Sequence, residues 1–225
     1  MMTNTKDLNN WTAPTMVLQE PFHLSFPFVF KHGDEIYIIP ESSEIGEIRI
    51  YRFCDDSLTQ VEFMKVLKEG EYVDSSIISK DGKYYLFTSA SQFNQRVFVS
   101  EDLLGDYNEH PSSPIYSGSD FGRNGGSVFK YKGTYYRPSQ DCTHLNGDNV
   151  SLHKLKDFTI SSIVESLFVE KIINKNDAFY LYGGHQFNVV EYRDKIIVAT
   201  DASDLNFNIF KIAQKSLKKV IHINV

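Results

Sequence analysis

A sixteen-residue phrase that returns four times constrains this chain more than any other feature: residues 27–42 PFVFKHGDEIYIIPES, 75–90 SSIISKDGKYYLFTSA, 126–141 GSVFKYKGTYYRPSQD and 187–202 FNVVEYRDKIIVATDA. Each copy reads as an apolar strand, a polar turn centred on Gly or Asp, a second strand rich in aromatic or β-branched residues, and then a hydroxyl or carboxylate. That is a β-hairpin with polar ends. A lone hairpin cannot bury a face, so each copy has to recruit further strands before the next begins. The starts at 27, 75, 126 and 187 lie 48, 51 and 61 residues apart. Such spacings approach or exceed the upper end of propeller-blade repeats.

The recruits are present. Ile48 to Phe53, Arg96 to Ser100, Asn149 to Leu155 and Phe207 to Ile212 supply a third strand, and Met64 to Leu67, Pro114 to Tyr116, Ile163 to Val169 and Val220 to Val225 a fourth. Four strands per repeat predict an all-β fold, a single β-propeller domain over 1–225 with four complete blade repeats near 23–70, 71–118, 122–170 and 183–225. Residues 1–22 hold a partial blade or a closing strand at Thr15 to Gln19. A β-sandwich of look-alike strands is the competing fold, but sandwiches do not repeat one hairpin phrase in register. Four repeats can close as a small ring, stay open at one seam, or close by self-association or against a partner chain, because exposed strand edges need cover.

Hydrophobic residues at 41% suffice for a core, and no apolar run approaches the ~20 residues that cross a bilayer, so an integral membrane protein is not expected. The start MMTNTKDLNNW has no signal-peptide core, which makes the cytoplasm the expected location. Cys54 and Cys142 lack metal-ligand spacing and read as free thiols; neither a metal nor a cofactor is expected. A net charge of −6 without a basic cluster argues against nucleic acid, with Lys215, Lys218 and Lys219 read as a solvated edge.

Hairpin geometry then locates a site. The start of the first strand and the end of the second share one edge of the sheet, and around a propeller those edges surround the channel mouth. The second-strand ends carry Glu41, Ser89, Gln140 and Asp201 in one column, with Ser42 and Asp141 in the next. The approaches to the first strands carry His23 and Ser25, Asp74 and Ser75, Arg123 and Asn124, and His185 and Asn188. These side chains are expected to converge, with Glu41, Asp74, Gln140, Asp141 and His185 opening onto one cavity. The mixture suits a hydroxyl-rich ligand, a glycan or sugar-containing small molecule. Each has a structural alternative: turn caps for Asp74 and Asp201, ion pairs for Arg123 and Arg137, a packed loop for His185. His32, His110 and His144 read as surface residues. Tyr37, Tyr85, Tyr136 and Ile197 share a mid-strand column expected to pack between blades.

Residues 23–30 HLSFPFVF, 39–42 IPES, 83–89 KYYLFTS, 103–107 LLGDY, 136–142 YRPSQDC and 183–188 GGHQFN resemble the propeller domain that precedes the transferase domain in glucosamine inositolphosphorylceramide transferases and their bacterial relatives. The resemblance spans roughly residues 20–202, and it implies a link to surface-polysaccharide metabolism. More distantly the hairpins resemble the five-bladed superfamily of glycoside hydrolase family 43, invertases and levansucrases, which implies five-bladed kinship and acid chemistry by carboxylates around the channel. On that likeness Asp74, with Glu41 or Asp141, would be catalytic in a glycosyl hydrolase or transferase. His23, Ser25, Arg123, Arg137, Gln140, His185, Asn188 and Asp201 would bind substrate. The chain departs from that pattern where Phe26, Gly125 and Gln186 stand in the column of Asp74. The alternative is a non-catalytic module that recognises a glycan or nucleotide sugar beside a glycosyltransferase.

Overall fold

Each repeated phrase forms the antiparallel hairpin that its alternation predicts. The computed structural model describes residues 1–144, 147–173, 183–192 and 195–202. In the first sheet, β1 (Ser25–His32), β2 (Glu35–Glu41), β3 (Glu47–Phe53) and β4 (Val61–Glu69) pair in chain order. In the second, β5 (Val73–Lys80), β6 (Lys83–Ala90) and β7 (Asn94–Ser100) are followed by two short strands, β8 (Asn108–Glu109) and β9 (Tyr116–Ser117), which both pair with β7. The single fourth strand expected at Pro114 to Tyr116 is therefore two fragments. In the third sheet, β10 (Arg123–Asn124) and β11 (Phe129–Tyr131) both pair with β12 (Thr134–Asp141), followed by β13 (Asn149–Phe158) and β14 (Ile163–Val169). The fourth hairpin is β15 (Phe187–Tyr192) with β16 (Lys195–Thr200). The strands expected at Phe207 to Ile212 and Val220 to Val225 lie outside the described residues.

Turn chemistry fixes the register. Asp81 and Gly82 have φ of 51° and 73°, and Lys132 and Gly133 have 46° and 80°. Positive φ at both central residues is the two-residue hairpin turn whose twist matches that of its strands. In consequence Phe30 pairs with Tyr37, Ile78 with Tyr85, Phe129 with Tyr136 and Val190 with Ile197 at one common step. The register also shifts at one common step, between Ser25 and Phe28 and between Val73 and Ser76. There Phe26 and Asp74 adopt φ of 40° and 55°, a left-handed backbone that bulky or acidic side chains occupy only under constraint from their surroundings.

Adjacent sheets pack face to face. Tyr37, Ile39, Ile48 and Ile50 of the first meet Ile77, Leu86 and Phe98 of the second. Tyr85, Phe87 and Val97 of the second meet Val128, Leu155, Phe158 and Ile163 of the third. His110 is a correction to the surface reading: it is buried, and its Nε2 lies 2.9 Å from the Thr159 carbonyl, tying the second sheet to the third. The third and fourth sheets meet where the Phe187 amide donates to the Gly125 carbonyl at 2.6 Å. Gly126 permits that approach, since a Cβ there would sit 2.1 Å from the Phe187 carbonyl oxygen.

Among the described residues the sheets do not join into a closed ring: β1 and β15 border an open groove of about 480 Å³. Thr15 forms only an isolated bridge to Met2, and Thr15 to Gln19 is not a sheet strand. The N-terminal segment nevertheless touches both sides of the opening. Met2, Val17 and Leu18 pack on Ile38, Tyr51 and Phe53, while the Tyr192 hydroxyl donates to the Lys6 carbonyl at 2.9 Å. Among the described residues no helix is long and apolar enough to cross a membrane.

Candidate functional site

The backbone shift at the start of β5 sets Asp74 into the interior, 3% exposed. Its Oδ2 accepts from Arg123 Nε at 2.5 Å and from Gln140 Nε2 at 3.2 Å. Its carbonyl accepts from Asn124 Nδ2 at 2.8 Å. The Gln140 amide also reaches the Asn124 carbonyl at 2.6 Å, and the Asn124 backbone N–H donates to Ser89 Oγ at 2.9 Å. Because Arg123 pairs with Gln140 and Asn124 with Ser139 across β10 and β12, one short strand aims two side chains at Asp74. Among the described residues Gln140 Oε1 and Asn124 Oδ1 remain buried without a partner. Unpaired buried acceptors are costly and mark where a donor from water or ligand is wanted.

Burial raises the Asp74 carboxyl to about 6; Arg123 opposes the rise, Glu41 adds to it and His185 opposes it. Strand ends from all four sheets are therefore within electrostatic reach of one carboxylate. Asp141, though buried, is held below the usual carboxylate range by the Thr143 amide at 3.0 Å, the Thr143 hydroxyl at 2.6 Å and Lys171 at 3.5 Å. His185 is raised, first by its contact through Nδ1 with Asp201 Oδ2. Asp201 Oδ1 in turn accepts from the amides of His185 at 2.9 Å and Gln186 at 2.7 Å, and despite burial this set lowers its carboxyl.

A cavity of about 520 Å³ opens beside this group, with Arg123, His23, Glu44, Glu71, Ser89 and Phe93 in its walls. Asp74, Gln140 and Asp141 lie buried behind these walls, at 3%, 0% and 3% exposure. His23 anchors the rim through its amide, which donates to Glu44 Oε2 at 2.8 Å. Ser25 pairs with Glu41, whose Oε1 accepts from Ser43 at 3.1 Å. Asn188 Oδ1 accepts from the Ser127 amide at 3.1 Å.

Arg137, expected to bind substrate or to form an ion pair, is 0% exposed. Its guanidinium is bidentate to Glu165 at 2.8 and 2.6 Å and also donates to Gln95 and to the Phe121 carbonyl, which is a structural role between the second and third sheets. Glu44, Glu71 and Phe93 escaped the sequence reading because they lie in connections between strands, which a hairpin register does not sample. No group of three or more His, Cys, Asp or Glu among the described residues is arranged to hold a metal ion.

Solved structures with this fold are propeller enzymes. A glycoside hydrolase family 43 enzyme from Xanthomonas citri complexed with xylotriose matches at TM-score 0.56 and 12% identity, over 85% of this chain and 74% of that one. An α-L-arabinofuranosidase from Clostridium thermocellum matches at 0.60 and 16%, over 84% and 67%. A Bombyx mori β-fructofuranosidase of family 32 matches at 0.63 and 11%, over 90% and 48%. At such identities the likeness is one of fold alone. The family is narrower: residues 2–202 match the model for the N-terminal domain of glucosamine inositolphosphorylceramide transferase 1, and the chain belongs to that family. The enzyme of that name from Oryza sativa subsp. japonica is 38% identical over 160 residues, 66% of this chain and 21% of its own length. The Arabidopsis thaliana enzyme is 36% identical over 155 residues, 65% and 20%. This chain thus spans about a fifth of the curated relatives it matches.

Proposed function

We propose that this protein is a glycan-recognition domain that works beside a glycosyltransferase, and that its four sheets are blades of a five-bladed propeller whose missing place is the groove between β1 and β15. The observation that carries this reading is the state of Asp74. It is one buried carboxylate, held at a single oxygen by a guanidinium and a carboxamide, beside a cavity whose walls include Arg123, His23, Glu44 and Glu71. Glycosidic cleavage needs a second carboxyl group placed to exchange a proton or attack. Asp141 is occupied by Thr143 and Lys171, and Glu41 is engaged with Ser43. Arg123, the Gln140 and Asn124 amides and Asp74, with Glu44 and Glu71 in the cavity wall, supply donors and acceptors that fix hydroxyl groups.

Charge narrows the ligand. Glu44 and Glu71 in the cavity wall and a net charge of −6 repel a diphosphate, which favours a neutral glycan over a nucleotide sugar. The relatives carry the name glucosamine inositolphosphorylceramide transferase 1, which supports a sugar-holding role beside such a transferase. Titration calorimetry with free sugars and their oligosaccharides tests it. Binding is expected, Asp74→Asn is expected to weaken it by about 1–3 kcal/mol, and turnover is expected from neither form. Turnover that disappears with Asp74→Asn would make the protein a hydrolase instead.

A further inference from the structure

We infer that a second sugar subsite lies between β1 and the segment leading into β15, so that the ligand is an oligosaccharide rather than a single sugar; this rests on the carbohydrate reading above. A cavity of about 280 Å³ there is lined by Phe26, Pro27, Phe28, His185, Gln186 and Asn188. One wall is apolar and fixed. The Phe28 ring stacks on Phe30 with centroids 5.0 Å apart and planes 13° apart, and Phe26 is held at φ 40°. Phe26 occupies the same step in its hairpin as Asp74 does in the next, so the backbone that presents an acid in the second sheet presents an aromatic ring in the first.

The polar side chains in the same cavity are also held in place. Asp201 orients His185 through Nδ1 and clamps the amides of His185 and Gln186, while Ser127 fixes the oxygen of Asn188. These contacts use His185 Nδ1 and Asn188 Oδ1, so the other polar atoms of the same side chains, His185 Nε2 and Asn188 Nδ2, are the ones available to a ligand, with the Gln186 carboxamide beside them in the cavity lining. Oriented donors in a cavity with an aromatic wall are the chemistry that holds a pyranose, whose C–H face lies on the ring while its hydroxyls take the hydrogen bonds. His185 and Asp74 influence each other electrostatically, which places this subsite next to the Asp74 group.

Saturation-transfer NMR and calorimetry on the full chain test the inference with four probe pairs: xylose and xylotriose, glucose and cellotriose, glucosamine and its β-1,4 trisaccharide, and N-acetylglucosamine and its β-1,4 trisaccharide. In at least one pair the trisaccharide is expected to bind tenfold or more tightly than its monosaccharide. Phe26→Ala and His185→Gln are each expected to erase that advantage by weakening the trisaccharide more than the monosaccharide, whereas Asp74→Asn weakens both members alike. Should Phe26→Ala fail to fold, Phe26→Leu and His185→Gln carry the comparison. An advantage that survives both substitutions, or equal binding within every pair, overturns the second subsite alone. No binding of any probe to the unaltered protein overturns the carbohydrate reading and the subsite with it.

Discussion

Replacing Asp74 by Asn should make the protein more stable at neutral and alkaline pH. A carboxyl raised from 3.8 to about 6 on folding binds more protons in the folded state than in the unfolded state between those values. Stability therefore falls as pH rises through that window. Above it the ionised group costs about 3 kcal/mol, since each tenfold change in proton affinity is worth about 1.36 kcal/mol. Asn keeps the shape, its carbonyl oxygen can accept from Arg123 and Gln140, and it carries no charge to desolvate. Denaturant melts of both proteins from pH 4 to pH 8 measure the difference. The variant should gain stability relative to the parent with rising pH, approaching about 3 kcal/mol by pH 8, with little difference near pH 4. A variant less stable by more than about 1 kcal/mol at pH 8 would mean that the Arg123 pair outweighs burial, and a destabilising carboxylate would no longer point to a functional role.

Three further outcomes follow from the packing between the sheets. Tyr85→Ala removes a 2%-exposed ring that meets Phe158 at 4.7 Å and should cost about 3–5 kcal/mol in denaturant melts; a loss below about 1 kcal/mol would contradict its place in the core. Glu165→Gln leaves the buried Arg137 guanidinium without its counter-charge and should cost about 3–5 kcal/mol, while Arg137→Met with Glu165→Leu should recover most of that loss. Burial and the neighbouring Arg137 push His153 down to about 4, so it is neutral when folded and protonates earlier when unfolded. The His153 contribution to stability should accordingly fall by about 3 kcal/mol as pH drops from 6.5 to 4, opposing that of Asp74, and the stability difference between the parent and His153→Gln should change by that amount over the same range.

The hairpins were legible because strand alternation and two-residue turns are local, and Asp81-Gly82 and Lys132-Gly133 set the register without help from the rest of the chain. The column of Asp74 was legible for the same reason. Arg137 was not: its partner Glu165 lies on β14, two strands away, and only the sheet brings them together. His110 read as a surface residue because its acceptor, the Thr159 carbonyl, belongs to another sheet. Phe26 stood in the acid column from the start, but a search for charge passes over a ring, and its strained φ is visible only in the backbone. The contacts of residues 1–18 with β2, β3 and β15 beside the open groove were illegible because no periodic pattern in that segment specifies them.

The central claim, sugar recognition around Asp74 without cleavage, is tested most directly by NMR on intact oligosaccharides incubated with the protein, following saturation transfer and anomeric signals in one sample. The account predicts saturation transfer to at least one oligosaccharide, weakened in Asp74→Asn, with no new reducing ends over the incubation. New reducing ends that depend on Asp74, or no transfer to any probe, would contradict it.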